Sequence, residues 1–105
     1  MQEQHKNEKI NELMSYMHKG SDNAVSREML SATMQMSDRA VRSLIEQARN
    51  EGCFIMNSQN GRGYYLPESI EDIKRQYRQD TNRALSILKR RKHMRKALKE
   101  ANVKV

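Results

Sequence analysis

The residues best suited to chemistry lie in one stretch, 24–66, which reads AVSREMLSATMQMSDRAVRSLIEQARNEGCFIMNSQNGRGYYL. Arg39, Arg42, Ser43 and Gln47 recur at spacings of three and four behind Ser37, so on a helix they share one side. The planar fork of arginine can bond guanine O6 and N7 together, and glutamine can serve adenine in the same way. Arg62 stands between Gly61 and Gly63. Glycines there let the loop approach a duplex closely and leave the guanidinium unshielded. Gln59 and Asn60 sit beside it as supporting polar groups. Ser26, Arg27 and Ser37 fall at helix starts, where free N–H groups and the dipole can receive a phosphate. Capping alone also accounts for both serines. The plainer reading of the arginines is a solvated helix face, with Arg42 paired to Glu46 one turn on.

A second basic set lies near the end of the chain. Lys89, Arg90, Arg91, Lys92, Arg95, Lys96 and Lys99 put seven cations in eleven residues, 89–99. The net charge of +7 belongs to this half of the chain. Residues 1–67 hold 8 Lys+Arg and 8 Asp+Glu, whereas residues 68–105 hold 12 and 5. Such asymmetry points to a polyanion or an acidic surface as partner. Three uses of the basic segment compete: contact with a phosphate backbone, contact with an acidic protein, or an exposed end beyond a dimer contact.

Catalysis finds no support. His5, His18 and His93 are far apart and lack ligand spacing to Cys53, the one cysteine. Gly61-Arg62-Gly63 lies in a hairpin rather than between a strand and a helix, so it is not a phosphate loop. No enzyme activity, metal or cofactor is therefore expected. The single cysteine forbids an internal disulfide and is compatible with a reducing compartment. The start, MQEQHKNEK, has no apolar signal core, and no apolar run approaches the ~20 residues of a membrane span. The expected location is the cytoplasm, with no membrane partner.

Four helices, a very short strand and a hairpin must position these groups. Ile10, Leu13, Met14 and Met17 make one apolar stripe, which predicts a first helix from about Glu3 to Lys19 stopped by Gly20. Ala24-Val25 reads as a very short strand. Ser26 caps a second helix that ends near Thr33, with Met29, Leu30 and Thr33 inward. After a turn at Met34-Gln35-Met36, Ser37 caps a third helix whose buried stripe is Val41, Leu44, Ile45 and Ala48. Cys53 to Asn57 and Gly63 to Leu66 are β-compatible runs joined through Asn60-Gly61, a strong hairpin signal. Either Phe54 or Ile55 faces the core, and so does one of Tyr64 and Tyr65. After Pro67, Ser69 and Asp72 resemble a capping box opening a helix that runs to about Lys99. A rough heptad, Ile70, Ile73, Tyr77, Asp80, Ala84, Ile87, Arg91, Met94 and Leu98, is interrupted at Asp80 and Arg91. Ile70, Ile73, Tyr77, Ala84, Ile87 and Leu88 are the candidate dimer contacts. Alternatively, the same stripe folds back on the first helix of its own chain.

The stretch SDRAVRSLIEQARNEGCFIMNSQNGRGYYL resembles small winged helix-turn-helix proteins of bacteria and their phages. These include the DNA-binding domain of the biotin-ligase repressor and short prophage regulators or replication proteins. Ser37-Asp38-Arg39, Val41-Arg42-Ser43-Leu44-Ile45, Ala48-Arg49, Gly52, Ile55 and Gly63-Tyr64-Tyr65-Leu66 carry the likeness, which spans about residues 8–67. It implies an α+β, mostly helical fold of three helices and a two-stranded wing over residues 1–67; the residues themselves, not the likeness, add a long basic helix over 68–105. It also implies that the helix from Ser37 enters the major groove and that the wing lies along the adjacent backbone. The resulting expectation is a homodimeric, double-stranded-DNA-binding transcriptional regulator of a phage or mobile element. Winged helices also dock on proteins, so a module or inhibitor acting on a replication or host-defence protein is the alternative.

Overall fold

The structure, a computed structural model, describes residues 2–61 and 63–104, with side chains from Glu8 onward. It is α+β and mostly helical. The elements are α1 (Gln2–Ser15), a 3-10 turn (Ser21–Asn23), β1 (Val25–Ser26), α2 (Arg27–Met34), α3 (Asp38–Asn50), β2 (Met56–Asn57), β3 (Gly63–Tyr65) and α4 (Ile70–Glu100). The chain divides into two compact units, Met1–Ile73 and Lys74–Val105.

In the first unit, α3 packs against both α1 and α2. Its apolar stripe is buried as the spacing predicts: Val41, Leu44, Ile45 and Ala48 are all nearly inaccessible. Ile10, Leu13 and Met17 meet it from the first segment, Leu30 and Met34 from α2, and Ile55 from the chain after α3. Each such aliphatic contributes roughly 1.5–3 kcal/mol through removal from water. Both serine caps are present. Ser26 Oγ accepts from Met29 N at 3.0 Å and Ser37 Oγ from Ala40 N at 3.1 Å.

Four expectations are corrected. The first helix ends at Ser15, not near Lys19. Tyr16 N and Met17 N bond back to Leu13 O and Met14 O. The chain then turns aside to bring His18 O to Leu66 N (2.8 Å) and Gly20 N to Leu66 O (3.0 Å). Gly20, with φ 89, leads into the 3-10 turn rather than ending the helix. In α2, Met29 and Thr33 face solvent, because a helix starting at Arg27 turns Leu30 and Met34 to the core.

The strand count also differs. The sheet has three antiparallel strands in the order β1-β3-β2, not two. Val25 pairs with Tyr64 and Ser26 with Gly63 on one side of β3; Met56 pairs with Tyr65 and Asn57 with Tyr64 on the other. Gly63 makes this approach feasible, since a Cβ there would stand 3.0 Å from Val25 O and 3.3 Å from Ala24 Cβ. A glycine inside a strand is a mark of such close backbone passage. Finally, β2 is only two residues long. Cys53 N is bound to Ala48 O (2.9 Å), and Ile55 O accepts from Arg49, so residues 53–55 serve the end of α3 instead of a ladder. Ile55 and Tyr65 are the buried members of their pairs, while Phe54 is exposed and Tyr64 half-buried.

In α4, Ser69 Oγ accepts from Asp72 N at 3.4 Å, and the Asp72 carboxylate accepts from Glu68 N at 2.9 Å. The helix closes with Asn102 left-handed (φ 60), Asn102 N on Lys99 O and Val103 N on Leu98 O, the Schellman pattern with asparagine in glycine's place. No helix among the described residues is long and apolar enough to cross a membrane.

The α2–α3 turn places Gln35 at φ 53, with Met36 N bonded to Ser31 O. A side chain in that conformation costs about 1–2 kcal/mol, partly offset by the greater unfolded-state freedom of glycine. Gln35→Gly is therefore expected to raise stability by about 0.5–1 kcal/mol, read as a higher denaturant midpoint at unchanged slope.

Candidate nucleic-acid interface

The start of α2, the start of α3 and the β2–β3 loop converge on one open groove of about 660 Å³. Ser26, Arg27 and Glu28 line one side, Asp38 lies at the α3 end, and Gly61 and Tyr64 come from the hairpin. These are the elements that the sequence analysis singled out for binding, and they meet because α3 packs on α2 while β1 draws β3 alongside.

Asp38 is the hub of the groove. Its Oδ1 accepts from Arg27 Nε at 2.5 Å and its Oδ2 lies 3.3 Å from Arg42 Nε. Arg42 thus pairs backward with Asp38, not forward with Glu46. The Asp38–Arg42 spacing of four was a readable signal, since i,i+4 neighbours share a helix face. Arg27 Nη1 donates to Tyr64 OH at 3.4 Å. Hydrogen bonds to Tyr64 and then Asp38 push the Arg27 pKa up from its ordinary value. The side chains of Arg27, Asp38 and Arg42 remain 38%, 51% and 59% exposed. Ion pairs this wet are worth about 0.2–1 kcal/mol at most. Their effect is to orient the guanidiniums rather than to hold the fold together.

Arg39 and Ser43 are exposed on α3 and Gln47 is half-buried. Arg39 makes no hydrogen bond or ion pair with any described residue. Ser37 is committed to its cap. Among the described loop residues Gly61 alone carries positive φ (73), and Gly61 N bonds to Ser58 O. Ser58 Oγ accepts from Gly63 N and donates to Asn60 Oδ1, each at 2.9 Å. Gln59 and Asn60 are both exposed. Arg62 lies outside the described residues.

One arginine that residue-by-residue reading left without a role turns out to be structural. Arg49 donates from Nε and Nη2 to Ile55 O (3.1 and 2.8 Å) and from Nη2 to Asn57 Oδ1 (2.9 Å). Its guanidinium also lies 5.9 Å from the Tyr64 ring centroid, within cation–π range. Only its position beside the buried Ala48 hinted at this.

The second unit, described on its own, presents Lys89, Arg90, Arg91, Lys92, Arg95 and Lys96 as exposed residues of α4. Of the candidate dimer contacts, Ile73 is half-buried and Ile70, Tyr77, Ala84, Ile87 and Leu88 are exposed. Cys53 is a free, half-buried thiol at the edge of the core. Among the described residues no three His, Cys, Asp or Glu side chains gather as a metal site. No protein-family model, curated protein or solved structure matches this chain.

Charge-assisted hydrogen bonds of the kind Arg49 makes are each worth about 1.5–3 kcal/mol. Arg49→Met keeps the stem and removes the fork. It is expected to lower stability by about 1.5–3 kcal/mol, whereas Arg42→Met should change it by less than about 1 kcal/mol, both read by denaturant unfolding.

Proposed function

We propose that this protein binds double-stranded DNA with sequence preference, as a winged helix-turn-helix regulator of a phage or mobile element, with α3 as the recognition helix and the β2–β3 loop as the wing. The observation that carries this reading is the cluster at the start of α3. There Arg39 stands exposed and Arg42 is held by its Nε on Asp38. Asp38 occupies only the inner nitrogen of Arg42, and the terminal Nη groups have no partner among the described residues. That leaves the atoms that fork onto a guanine edge presented by an arginine whose orientation is already set.

The roles follow from chemistry. Arg39 and Arg42 read base edges in the major groove, with Ser43 and Gln47 one turn along. Ser26 and Ser37 bring the amide-rich starts of α2 and α3 towards phosphates. Arg27, locked between Asp38 and Tyr64, keeps the loop at a fixed distance from α3. The exposed cations of residues 89–99 add sequence-independent phosphate contacts, which displace counterions and make binding salt-dependent.

A second reading, docking on an acidic protein, draws on one specific observation. The charges of residues 1–67 cancel, and Glu28 and Asp38 line the same groove as Arg27. A protein partner could meet that mixed surface without the repulsion that a polyanion feels.

Selection of bound duplexes from a random pool at two salt concentrations separates the two. A motif that persists at the higher salt is expected, and binding that yields no motif and vanishes with salt would move protein docking to first place. On the selected duplex, Arg39→Ala and Arg42→Ala should each weaken binding by about 1–3 kcal/mol. Asp38→Asn should narrow the gap between the selected and a scrambled duplex while leaving binding to the scrambled one within about threefold, as expected for loss of orientation rather than of a phosphate contact.

A further inference from the structure

Helix α4 carries an apolar stripe whose members from Tyr77 to Met94 stand exposed among the described residues. Tyr77 is 72% exposed, Ile87 44% and Met94 57%. The stripe positions from Ile73 onward are 73, 77, 80, 84, 87, 91, 94 and 98, and two of them, Asp80 and Arg91, are charged. A charge in a helix–helix seam is tolerated when the facing layer answers it. The steps between successive positions run four, three, four, three, four, three, four. That series reads the same in reverse. Two copies of the helix laid in opposite directions, centred between Leu85 and Ser86, therefore match layer for layer.

We propose that α4 pairs with α4 of a second copy of this chain as an antiparallel two-stranded coiled coil in this register. Tyr77 then meets Met94, Asp80 meets Arg91 and Ala84 meets Ile87, each pair occurring on both sides of the centre. Both interruptions of the heptad become one kind of ion pair. In a parallel pair Asp80 would face Asp80 and Arg91 would face Arg91, and both layers would repel.

Three further observations favour the antiparallel arrangement. Asp80 Oδ1 accepts from Gln76 Nε2 at 2.9 Å, which leaves Oδ2 open, and Arg91 has no hydrogen-bond or ion-pair partner among the described residues. Arg91, Met94, Arg95 and Leu98 border one shallow depression of about 430 Å³. Their spacing, i, i+3, i+4 and i+7, is that of the four-residue hole of knobs-into-holes packing, and the proposed register sends the partner's Tyr77 into it. Charge is also unevenly spread along the helix. Residues 89–100 hold seven Lys+Arg and one acid, Glu100, whereas residues 70–88 hold four Lys+Arg against Glu71, Asp72 and Asp80. Antiparallel pairing lays each strongly basic end beside a nearly neutral half, and opposes the two helix dipoles. None of this depends on the DNA reading, and the test uses no DNA.

Sedimentation equilibrium of the full chain should show a dimer. Asp80→Arg alone and Arg91→Asp alone should each weaken it at least about tenfold, since like charges then meet in two layers. The double swap Asp80→Arg/Arg91→Asp should return it to within about threefold of the parent, because only the antiparallel register makes the two positions partners. A second readout is independent of affinity. In a Cys53→Ala background, Ala84→Cys mixed with Ile87→Cys should form a disulfide-linked heterodimer under mild oxidation, whereas Ala84→Cys alone should not couple to itself efficiently. A monomer at concentrations up to about 1 mM, where any specific pair binding more tightly than that would assemble, overturns the proposal. So does a dimer indifferent to both single swaps, a double swap that fails to restore it, or preferential Ala84→Cys self-coupling.

Discussion

Both ends of α3 are referred to one side chain, Tyr64. At the C-terminal end Arg49 lies over its ring while gripping Ile55 O and Asn57 Oδ1. At the N-terminal end Asp38 holds Arg27, and Arg27 reaches the Tyr64 hydroxyl. Tyr64 itself is the middle residue of the central strand, paired with Val25 on one side and Asn57 on the other. The exposed face of α3 and the β2–β3 loop therefore cannot shift far relative to each other without breaking one of these links. A surface that reads a partner with two elements needs that kind of fixed spacing.

The two links differ in strength, and the difference assigns their roles. Arg49 is partly buried and its fork satisfies a backbone carbonyl that no strand partner takes, so its loss leaves a polar group unanswered. The Asp38 pairs are about half exposed, where water and salt weaken them. Stability thus sits at the C-terminal end of α3, and orientation at its N-terminal end. Arg39 and the Nη atoms of Arg42, at that end, have no partner among the described residues, and the proposed DNA contacts rest on them.

Much of the fold was legible because apolar spacing and capping chemistry agree. Val41, Leu44, Ile45 and Ala48 fall where a 3.6-residue period puts a buried stripe, and Ser26 and Ser37 bond as N-caps. What failed depended on contacts between distant segments. The early end of α1 follows from the pairing of residues 18–20 with Leu66, which no local pattern announces. A very short strand at 24–25 was legible, but its joining the hairpin as a third strand depends on Gly63 admitting it, a close passage that no local pattern announces. The shortness of β2 comes from Arg49 taking the carbonyl of Ile55. At the candidate site, the residue types were visible but their pairing was not. Asp38 belongs to the helix-start motif Ser37-Asp38-Arg39 and is the anchor of two arginines.

The proposed binding surface is formed by α3 and the hairpin together. Titrating isotope-labelled protein with a selected duplex and following backbone amide shifts tests this most directly. The largest changes are expected over residues 37–47 and 58–64, with smaller and salt-sensitive changes over 89–99. Changes confined to 89–99, with the amides of α3 and the hairpin unmoved, would contradict it.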